Sequence, residues 1–464
     1  MDPNSAPIDV DYLVVGAGAV GMAFTDVLLS ETTATVALVD RYSRPGGHWN
    51  RAYPFVRLHQ PSAFYGVNSE ALGMGRLDTE GGNAGLQELA SGAEVVDYFD
   101  RVLRERLLPT GRLQYLPEHD VDGSDAVSVT TGARRPIRAR KIVDAAHSEV
   151  TVPSMRPPTY DVADGIVCVA PNELPSVFGD ASGYVVIGAG KTGIDACLWL
   201  LDAGVDPDAI RWIVPRDSWF LDRRNIQPVE DNFESTVGGY ALQLEASALA
   251  TSIPDLFRRL EETGQLLRLD PEVTPTMYRC ATVTRTELDQ LRSISGVVRM
   301  GRVRSIGADA IGLDGGTVKT SAGVIHVDCT ADGFKRRPPE PVFSGDRIVL
   351  QSVRTCQQVF SAALIAHVEA TFTDEAEKNA LCAVIPSPDA DIDWLRTTLV
   401  NTESTIRWGS EPRIASWLEG SRLNSVKTGL TGAPTPAQIG TLRTIVRHMN
   451  GAVDNLRRLL DEAG

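Results

Sequence analysis

The chain has 464 residues, and at roughly 150 residues per domain this length predicts two or three domains. Its 45 lysine and arginine residues are outnumbered by 60 aspartate and glutamate residues, so the formal net charge is −15 at pH 7. This charge argues against nucleic acid and membranes as partners, and no apolar run approaches the roughly 18 residues that a transmembrane helix needs.

The N-terminus and the cysteines predict where the protein resides. Residues 1–11 are polar and acidic and lack the basic and apolar regions of a secretion signal, so we expect a cytoplasmic protein. The six cysteines form no Cys-x-x-Cys pair. We therefore expect reduced thiols that mostly pack in the core, with no disulfide framework and no metal site.

A dinucleotide-binding motif begins the chain. The apolar strand Asp11–Val15 runs into Gly16-Ala-Gly18-Ala-Val-Gly21, and a helix and a second strand that ends at Asp40 follow. In such a turn the first glycine permits the tight bend, the second lets backbone N–H groups approach a pyrophosphate, and the third lets helix and strand pack closely. The helix N-terminus attracts the phosphates, and Asp40 is placed to accept ribose hydroxyl groups.

The same pattern returns later in the chain. The strand Tyr184–Ile187 leads into Gly188-Ala-Gly190-Lys-Thr-Gly193, and a helix and the strand Ile210–Val214 follow. The Gly-Lys-Thr string is not a phosphate-binding P-loop, because that motif needs a glycine where Val185 stands. Two such motifs predict two dinucleotides, FAD in the first site and a nicotinamide cofactor in the second.

The residues after the last strand of the second motif bear on the choice of nicotinamide cofactor. Arg216 suits the 2′-phosphate of NADPH, which we therefore expect. Asp217, one residue further on, keeps NADH open as an alternative.

These motifs predict an α/β protein with two Rossmann-like units, the second inserted into the first, together with a helical insert and a C-terminal helix. The predicted parts are an FAD-binding domain in 1–180 and 326–400, an NAD(P)H-binding domain in 181–325 with a helical insert at 229–293, and a C-terminal extension in 401–464. Within the insert, Met277–Cys280 is interpreted as part of a core helix or as a pocket lining, and residues 401–435 look irregular. The amphipathic stretch Pro436–Ala463 predicts a helix packed on its own protein, with a homodimer contact as the alternative.

A family resemblance emerges after Asp40. Pro45-Gly-Gly-His-Trp49 and the following segment Tyr53–Ser69 resemble motifs of flavin-containing monooxygenases and Baeyer–Villiger monooxygenases. The resemblance extends over roughly residues 10–70 and 140–370. It implies an FAD domain with an inserted NADPH domain, Gly47 and Trp49 against the FAD, and Asn68 near flavin C4a.

The sequence departs from these families at two places. The FxGxxxH fingerprint that precedes the second glycine motif is absent, because residues 169–181 contain no histidine. The Ala-Thr-Gly signature is degenerate at Asp144–His147 and at Cys329–Gly333.

The resemblance and the residue types together give the candidate site residues. The helix after Gln357 is expected to point its N-terminus at the flavin pyrimidine ring. The candidate catalytic residues are Asn68, Arg57 and His59. The candidate cofactor-binding residues are Gly16, Gly18, Gly21, Asp40, Arg41, Gly47, His48, Trp49, Gln60, Val121, Gln357, Gly188, Gly190, Lys191, Thr192, Gly193 and Arg216.

The function that the resemblance implies is an FAD- and NADPH-dependent monooxygenase. It would form a C4a-peroxyflavin with O2 and oxygenate a small nucleophilic substrate, such as an amine that is N-hydroxylated in specialised metabolism. A non-oxygenating flavin dehydrogenase, reductase or oxidase is the alternative, and a flavin-dependent sensor or scaffold is a third interpretation.

Overall fold

The computed structural model describes residues 6–179, 181–331, 333–426 and 432–463. Its strands are β1 (Ile8–Val15), β2 (Val36–Asp40), β3 (Leu113–Pro117), β4 (His119–Asp122), β5 (Asp125–Ser128), β6 (Arg134–Asp144), β7 (Asp161–Val162), β8 (Cys168–Val169), β9 (Gly183–Ile187), β10 (Ile210–Ile213), β11 (Ser218–Asp222), β12 (Leu266–Leu267), β13 (Met277–Val283), β14 (Gly296–Val298), β15 (Val303–Ile306), β16 (Ala310–Leu313), β17 (Gly316–Lys319), β18 (Val324–Asp328), β19 (Phe343–Ser344) and β20 (Arg347–Val349). Its helices are α1 (Ala19–Glu31), α2 (Gly92–Val102), α3 (Leu174–Val177), α4 (Lys191–Asp202), α5 (Val229–Leu249), α6 (Ile253–Glu262), α7 (Arg285–Arg292), α8 (Gln358–Thr371), α9 (Glu375–Leu381), α10 (Asp393–Ser410), α11 (Pro412–Gly420) and α12 (Pro436–Glu462).

The first sheet has the strand order β19-β20-β6-β1-β2-β3. Strand β1 pairs in parallel with β2 and β6, and β20 pairs in parallel with the other edge of β6. Every residue of β2 is buried, because parallel strands are covered on both faces. The carboxyl ends of β1, β2 and β6 therefore meet at one edge, where the first glycine motif lies.

The second sheet has the order β14-β10-β9-β18-β8, and all its strand pairs are parallel. After β18 the chain returns to the first sheet through β19, β20 and α8, so the second unit is inserted into the first. The predicted α/β fold class with two Rossmann-like units is confirmed. The second sheet differs from the predicted boundaries of 181–325 at both ends. It includes β8, which precedes residue 181, and β18, which extends past residue 325.

A third packed region surrounds the insert. Trp219, Phe257, Tyr278, Trp394 and Leu456 form one apolar cluster. Helix α12 packs along α5 and α10, as predicted for a helix packed on its own protein. Within the described residues, no helix is long and apolar enough to cross a membrane.

Two local predictions were wrong. Met277–Cys280 lies in strand β13, not in a helix. A short apolar run is compatible with either structure, and here main-chain pairing with β11 makes it a strand. Most of the segment 401–435 is helical, since α10 and α11 bury Trp408 and Ile414 against the first core; residues 427–431 lie outside the described residues.

The prediction of six reduced thiols was also wrong. Cys280 in β13 and Cys356 before α8 form a disulfide across 76 residues, with Cα atoms 6.4 Å apart. Cys168, Cys197, Cys329 and Cys382 are free. The disulfide connects the insert to the segment that begins α8, a pairing that no local sequence pattern marks.

Thiol counting tests this pairing. We expect the protein, denatured without reductant, to show four titratable thiols, and six after reduction, because only Cys280 and Cys356 are paired. The measurement is a colorimetric thiol assay in denaturant, with Cys280→Ser as the matched variant. Six thiols before reduction would contradict the disulfide.

Candidate cofactor-binding and active site

The two glycine motifs have the same backbone geometry. Gly16 and Gly188 have φ angles of 105° and 121°. A Cβ atom on Gly21 would overlap the carbonyl oxygen of Gly16, and one on Gly193 would overlap that of Gly188. Each turn therefore packs strand against helix so closely that only glycine fits.

A surface without side chains lies beside the first turn. Gly18 is the N-cap residue of α1, and Gly47 faces it: a Cβ atom on Gly47 would lie 3.0 Å from the Cα atom of Gly18. We call the surface formed by Gly18 and Gly47 the cradle. Side chains at these two positions would fill it, whereas two glycines leave the backbone accessible beside the positive end of α1. The cradle fits a pyrophosphate of FAD.

Asp40 ends β2 beside the cradle. Its carboxylate accepts hydrogen bonds from the backbone N–H of Ala17, at 2.6 Å, and of Tyr42, at 2.8 Å. Burial raises the pKa of Asp40, although these two bonds oppose the rise. The fixed carboxylate is placed for a ribose, whereas the predicted neighbour Arg41 is exposed and pairs with Asp120. The predicted Val121 lies in β4, next to Asp120 of the same strand.

The segment after Gly47 forms a compact aromatic group. His48 stacks on Trp49, whose indole N–H donates to the hydroxyl of Tyr65 at 2.7 Å. Burial lowers the pKa of His48 to about 4. Its imidazole is therefore neutral near pH 7.

The predicted residues Gln60 and Gln357 come together although they are far apart in sequence. Gln60 donates to the carbonyl oxygen of Cys356 at 3.1 Å. Gln357 precedes α8 and donates to Ser425, and its Oε1 atom is buried without a hydrogen-bond partner among the described residues. Such an orphaned acceptor fits an N–H donor at the edge of a flavin ring.

The candidate catalytic residue Asn68 is held by a segment that the sequence analysis did not single out. Its Oδ1 atom accepts a hydrogen bond from Ser421 at 2.8 Å. The next residue, Arg422, donates to four backbone carbonyl groups of the 63–70 segment. The positions of Ser421 and Arg422 result from a long-range contact that carries no sequence signature.

Arg57 and His59 have different surroundings. Arg57 is exposed and donates to the carbonyl oxygen of Leu89 in the first unit. Burial, together with the charges of Lys191 and Arg223, holds the pKa of His59 well below its usual value. His59 is therefore the candidate that lies where the two units meet.

Two contacts hold the units together at this point. The hydroxyl of Tyr53 donates to Oδ2 of Asp195 at 2.7 Å, and Lys191 forms an ion pair with the same carboxylate. Burial and the charge of Asp195 raise the pKa of Tyr53 well above its usual value, so the hydroxyl keeps its proton. Thr192, the other predicted residue here, lies beside Lys191 in the first turn of α4.

The second contact is the side chain of Arg223. This buried guanidinium donates to the carbonyl oxygen of His59 at 3.0 Å and pairs with Glu287 at 2.9 Å. It therefore joins the segment around His59 in the first unit to α7 of the second unit.

Arg216 lies three residues beyond the end of β10, as the NADPH prediction requires. It pairs with Asp389 at 2.6 Å, and Arg279 and Arg336 bind the same Oδ1 atom at 2.7 and 2.8 Å. Burial raises the pKa of Asp389, but hydrogen bonds and charge from Arg279 and Arg216 outweigh this and hold it below its usual value. The sequence analysis missed Arg336 and Asp389, and it named Arg279 only as part of Met277–Cys280.

The alternative ribose ligand of the second site is already engaged. Asp217 is buried and accepts two hydrogen bonds from Arg299, at 2.8 and 3.1 Å. Arg299 therefore offsets the charge of Asp217.

The pKa of His48 leads to a prediction about stability. Between pH 6.5 and about 4 the unfolded chain binds a proton that the folded His48 does not, so the free energy of unfolding falls as pH drops through this range. We expect His48→Gln to flatten this dependence, measured by urea unfolding at several pH values. An equally steep dependence in the variant would show that His48 is protonated in the folded protein.

Comparisons with known proteins complete the description. No family model matches the chain. It is similar in fold to a flavin-containing monooxygenase from Stenotrophomonas maltophilia, which is 15% identical with a TM-score of 0.45 over 81% of this chain and 100% of that chain. It is also similar to a steroid monooxygenase bound to NADP, at 15% identity and a TM-score of 0.46 over 96% of this chain and 98% of that chain. The cyclohexanone monooxygenase from Rhodococcus sp. Phi1 bound to NADP+ is 13% identical, with a TM-score of 0.48 over 98% of this chain and 97% of that chain.

Two mycobacterial relatives are much more similar in sequence. Uncharacterized protein Rv2000 of Mycobacterium tuberculosis and uncharacterized protein Mb2023 of Mycobacterium bovis are each 50% identical over 467 aligned residues, which cover 99% of this chain and 87% of theirs. The chain belongs to the family of these mycobacterial proteins.

Proposed function

We propose that the protein is an FAD- and NADPH-dependent monooxygenase that oxygenates a small nucleophilic substrate, such as an amine. The observation that carries this proposal is the pair of strand–glycine turn–helix units, which are locked together at Tyr53, Asp195, His59 and Arg223. The resemblance of residues 45–69 to monooxygenase motifs supports the choice of reaction.

FAD fits the first unit. Gly18 and Gly47 would hold its pyrophosphate, Asp40 its ribose, and Gln60 and Gln357 the edge of its ring. When bound, FAD supplies the redox chemistry, which is to accept a hydride from the nicotinamide and to pass electrons to O2. NADPH fits the second unit, at Gly188–Gly193 and Arg216.

Three titratable side chains near the glycine turns are held uncharged near pH 7. His48 and His59 are kept neutral by burial, and Tyr53 keeps its proton. Exclusion of water favours transfer of oxygen to a substrate over release of hydrogen peroxide. Asn68, oriented by Ser421, would contribute a fixed amide to this region.

A reciprocal pair of variants tests which unit holds which cofactor. Gly18→Val should abolish retention of FAD, because the side chain enters the cradle opposite Gly47, and should leave nicotinamide nucleotide binding intact. Gly190→Val, the matched change in the second unit, should retain FAD and lose NADPH binding. Flavin absorbance and calorimetric titration with NADP+ are the measurements, and FAD lost from Gly190→Val alone would reverse the assignment.

The reaction is tested with isotopic oxygen. We expect NADPH oxidation under 18O2 to place 18O in the product of a nucleophilic substrate, screened among amines, sulfides and ketones by mass spectrometry. Peroxide release should fall when that substrate is added, because the electrons then go to its oxygenation. A screen in which all electrons from NADPH appear as hydrogen peroxide, or pass only to added acceptors, would contradict oxygenation.

The second candidate is a non-oxygenating NAD(P)H-dependent flavin oxidoreductase. The specific observation that favours it is the disulfide, because Cys356 directly precedes Gln357 and contacts Gln60 through its carbonyl group. A disulfide there is a two-electron acceptor beside the residues proposed to hold the flavin. Release of two thiols on anaerobic addition of NADPH would distinguish this candidate from the monooxygenase.

A further inference from the structure

The guanidinium group of Arg354 is buried without a carboxylate partner among the described residues. Only 6% of this residue is exposed, and its side chain donates to a single acceptor in the described part of the chain, Oδ1 of Asn424, at 2.7 Å. It lies 3.8 Å from the ring centre of Phe360 and 5.0 Å from that of Trp408. A guanidinium carries a full charge and several N–H donors, so most of these donors have no acceptor among the described residues.

Other arginines in the interior are better satisfied. Arg223 is buried and pairs with Glu287 at 2.9 Å, and the half-buried Arg422 donates to four backbone carbonyl groups. Burial lowers the pKa of Arg354 to about 9, although the nearby Tyr240 acts in the opposite direction. A buried charge is costly unless it is paired, so a bound anion would offset a cost that the described residues leave open.

The elements around Arg354 carry further polar atoms without partners. Asn401, Ser404 and Trp408 follow one another at helical spacing in α10, so the first two share a face with the ring that contacts Arg354. Oδ1 of Asn401, Oγ of Ser404 and the hydroxyl of Tyr240 are buried without a hydrogen-bond partner among the described residues. Burial raises the pKa of Tyr240, and the charge of Arg354 opposes the rise, so the two groups are close. Buried polar groups normally have partners, and these atoms therefore indicate a site for a polar ligand.

Arg354 is held by the same segment as two residues that the proposed function places at the flavin. Residues 421–425 contact Asn68, Arg354 and Gln357 in turn, through Ser421, Asn424 and Ser425. The backbone N–H of Gln357 also donates to the carbonyl oxygen of Arg354 at 3.3 Å. Under the proposed function, a ligand at Arg354 would therefore lie close to the ring of the bound flavin.

We propose that Arg354 binds a carboxylate group of the substrate, so that the substrate is a small organic acid that carries the nucleophilic atom elsewhere in the molecule. This inference rests on the proposed function and narrows its substrate class. One guanidinium matches one carboxylate in charge and can bind both oxygens through paired N–H donors. A phosphate monoester, with about −1.5 to −2 charges at pH 7, would need more positive charge than one guanidinium supplies. The hydroxyl groups of Tyr240 and Ser404 are available as further donors.

The test measures carboxylate binding without any turnover. Urea unfolding of the purified full-length protein is followed with formate or acetate, and with formamide or acetamide as uncharged analogues of similar shape, at constant ionic strength. We expect each acid, but not its amide, to raise the free energy of unfolding in a saturable way. The reason is that a ligand that binds only the folded state stabilises it.

Two variants and a control locate the site. Arg354→Met should abolish the stabilisation by acetate, and Tyr240→Phe should weaken the affinity for acetate about threefold to tenfold because it removes one donor. Tyr240→Phe also tests the inference if Arg354→Met does not fold. Arg413→Met is the matched control, since Arg413 also lies 3.8 Å from a phenylalanine ring centre but is exposed and pairs with Glu411. It should leave the affinity for acetate unchanged.

The inference is overturned if acids and amides act alike, or if acetate stabilises both site variants as much as the wild-type protein. Stabilisation by inorganic phosphate in place of the carboxylates would overturn the carboxylate assignment as well.

The oxygenation screen separates this inference from the proposed function when each acid is offered beside its primary amide. Incorporation of 18O into acids but not into their amides supports the inference. Equal incorporation into both overturns it, and the monooxygenase assignment stands. Saturable acetate binding that depends on Arg354, without any oxygenated product in the screen, supports the carboxylate site and contradicts the proposed function.

Discussion

The buried guanidinium of Arg223 determines how the two dinucleotide-binding units face each other. Its donors reach His59 and Asn83 in the first unit and Thr282 and Glu287 in the second. A buried arginine is costly unless its donors and charge are satisfied, so these acceptors have to stay together for the fold to be stable. Under the proposed function, hydride transfer between two bound cofactors would need a fixed approach of the units that carry them, and this network would provide one.

Under the proposed function, the two units use one backbone design to bind different dinucleotides. Both turns have the same left-handed first glycine and the same contact between first and third glycine. They differ where the next strand ends: Asp40 offers a carboxylate held by backbone N–H groups, whereas Arg216 offers a guanidinium within a cluster. Under the proposed function, the backbone positions a dinucleotide, and the charge at this one position favours one kind over the other.

Local patterns in the sequence were enough to predict the strands, glycine turns and helices of both units, because each signal lies within about 30 residues. Gln60 and Gln357 were both predicted as cofactor-binding residues, and the structure brings Gln60 to the carbonyl group of Cys356, the neighbour of Gln357. Local patterns could not predict β13, which depends on pairing with β11, or the disulfide across 76 residues. The same limit applies to Asp389, which reaches Arg216 from 173 residues away.

The net charge also bears on how an acidic protein could bind a polyanionic cofactor, as the proposed function requires. A net charge of −15 repels NADPH at long range, but salt screens such repulsion beyond about 8 Å at physiological ionic strength. Under the proposed function, binding therefore depends on charge close to the ligand, as at Arg216. In the structure, Arg216, Arg279 and Arg336 share one carboxylate oxygen of Asp389, which offsets the repulsion among their guanidinium groups.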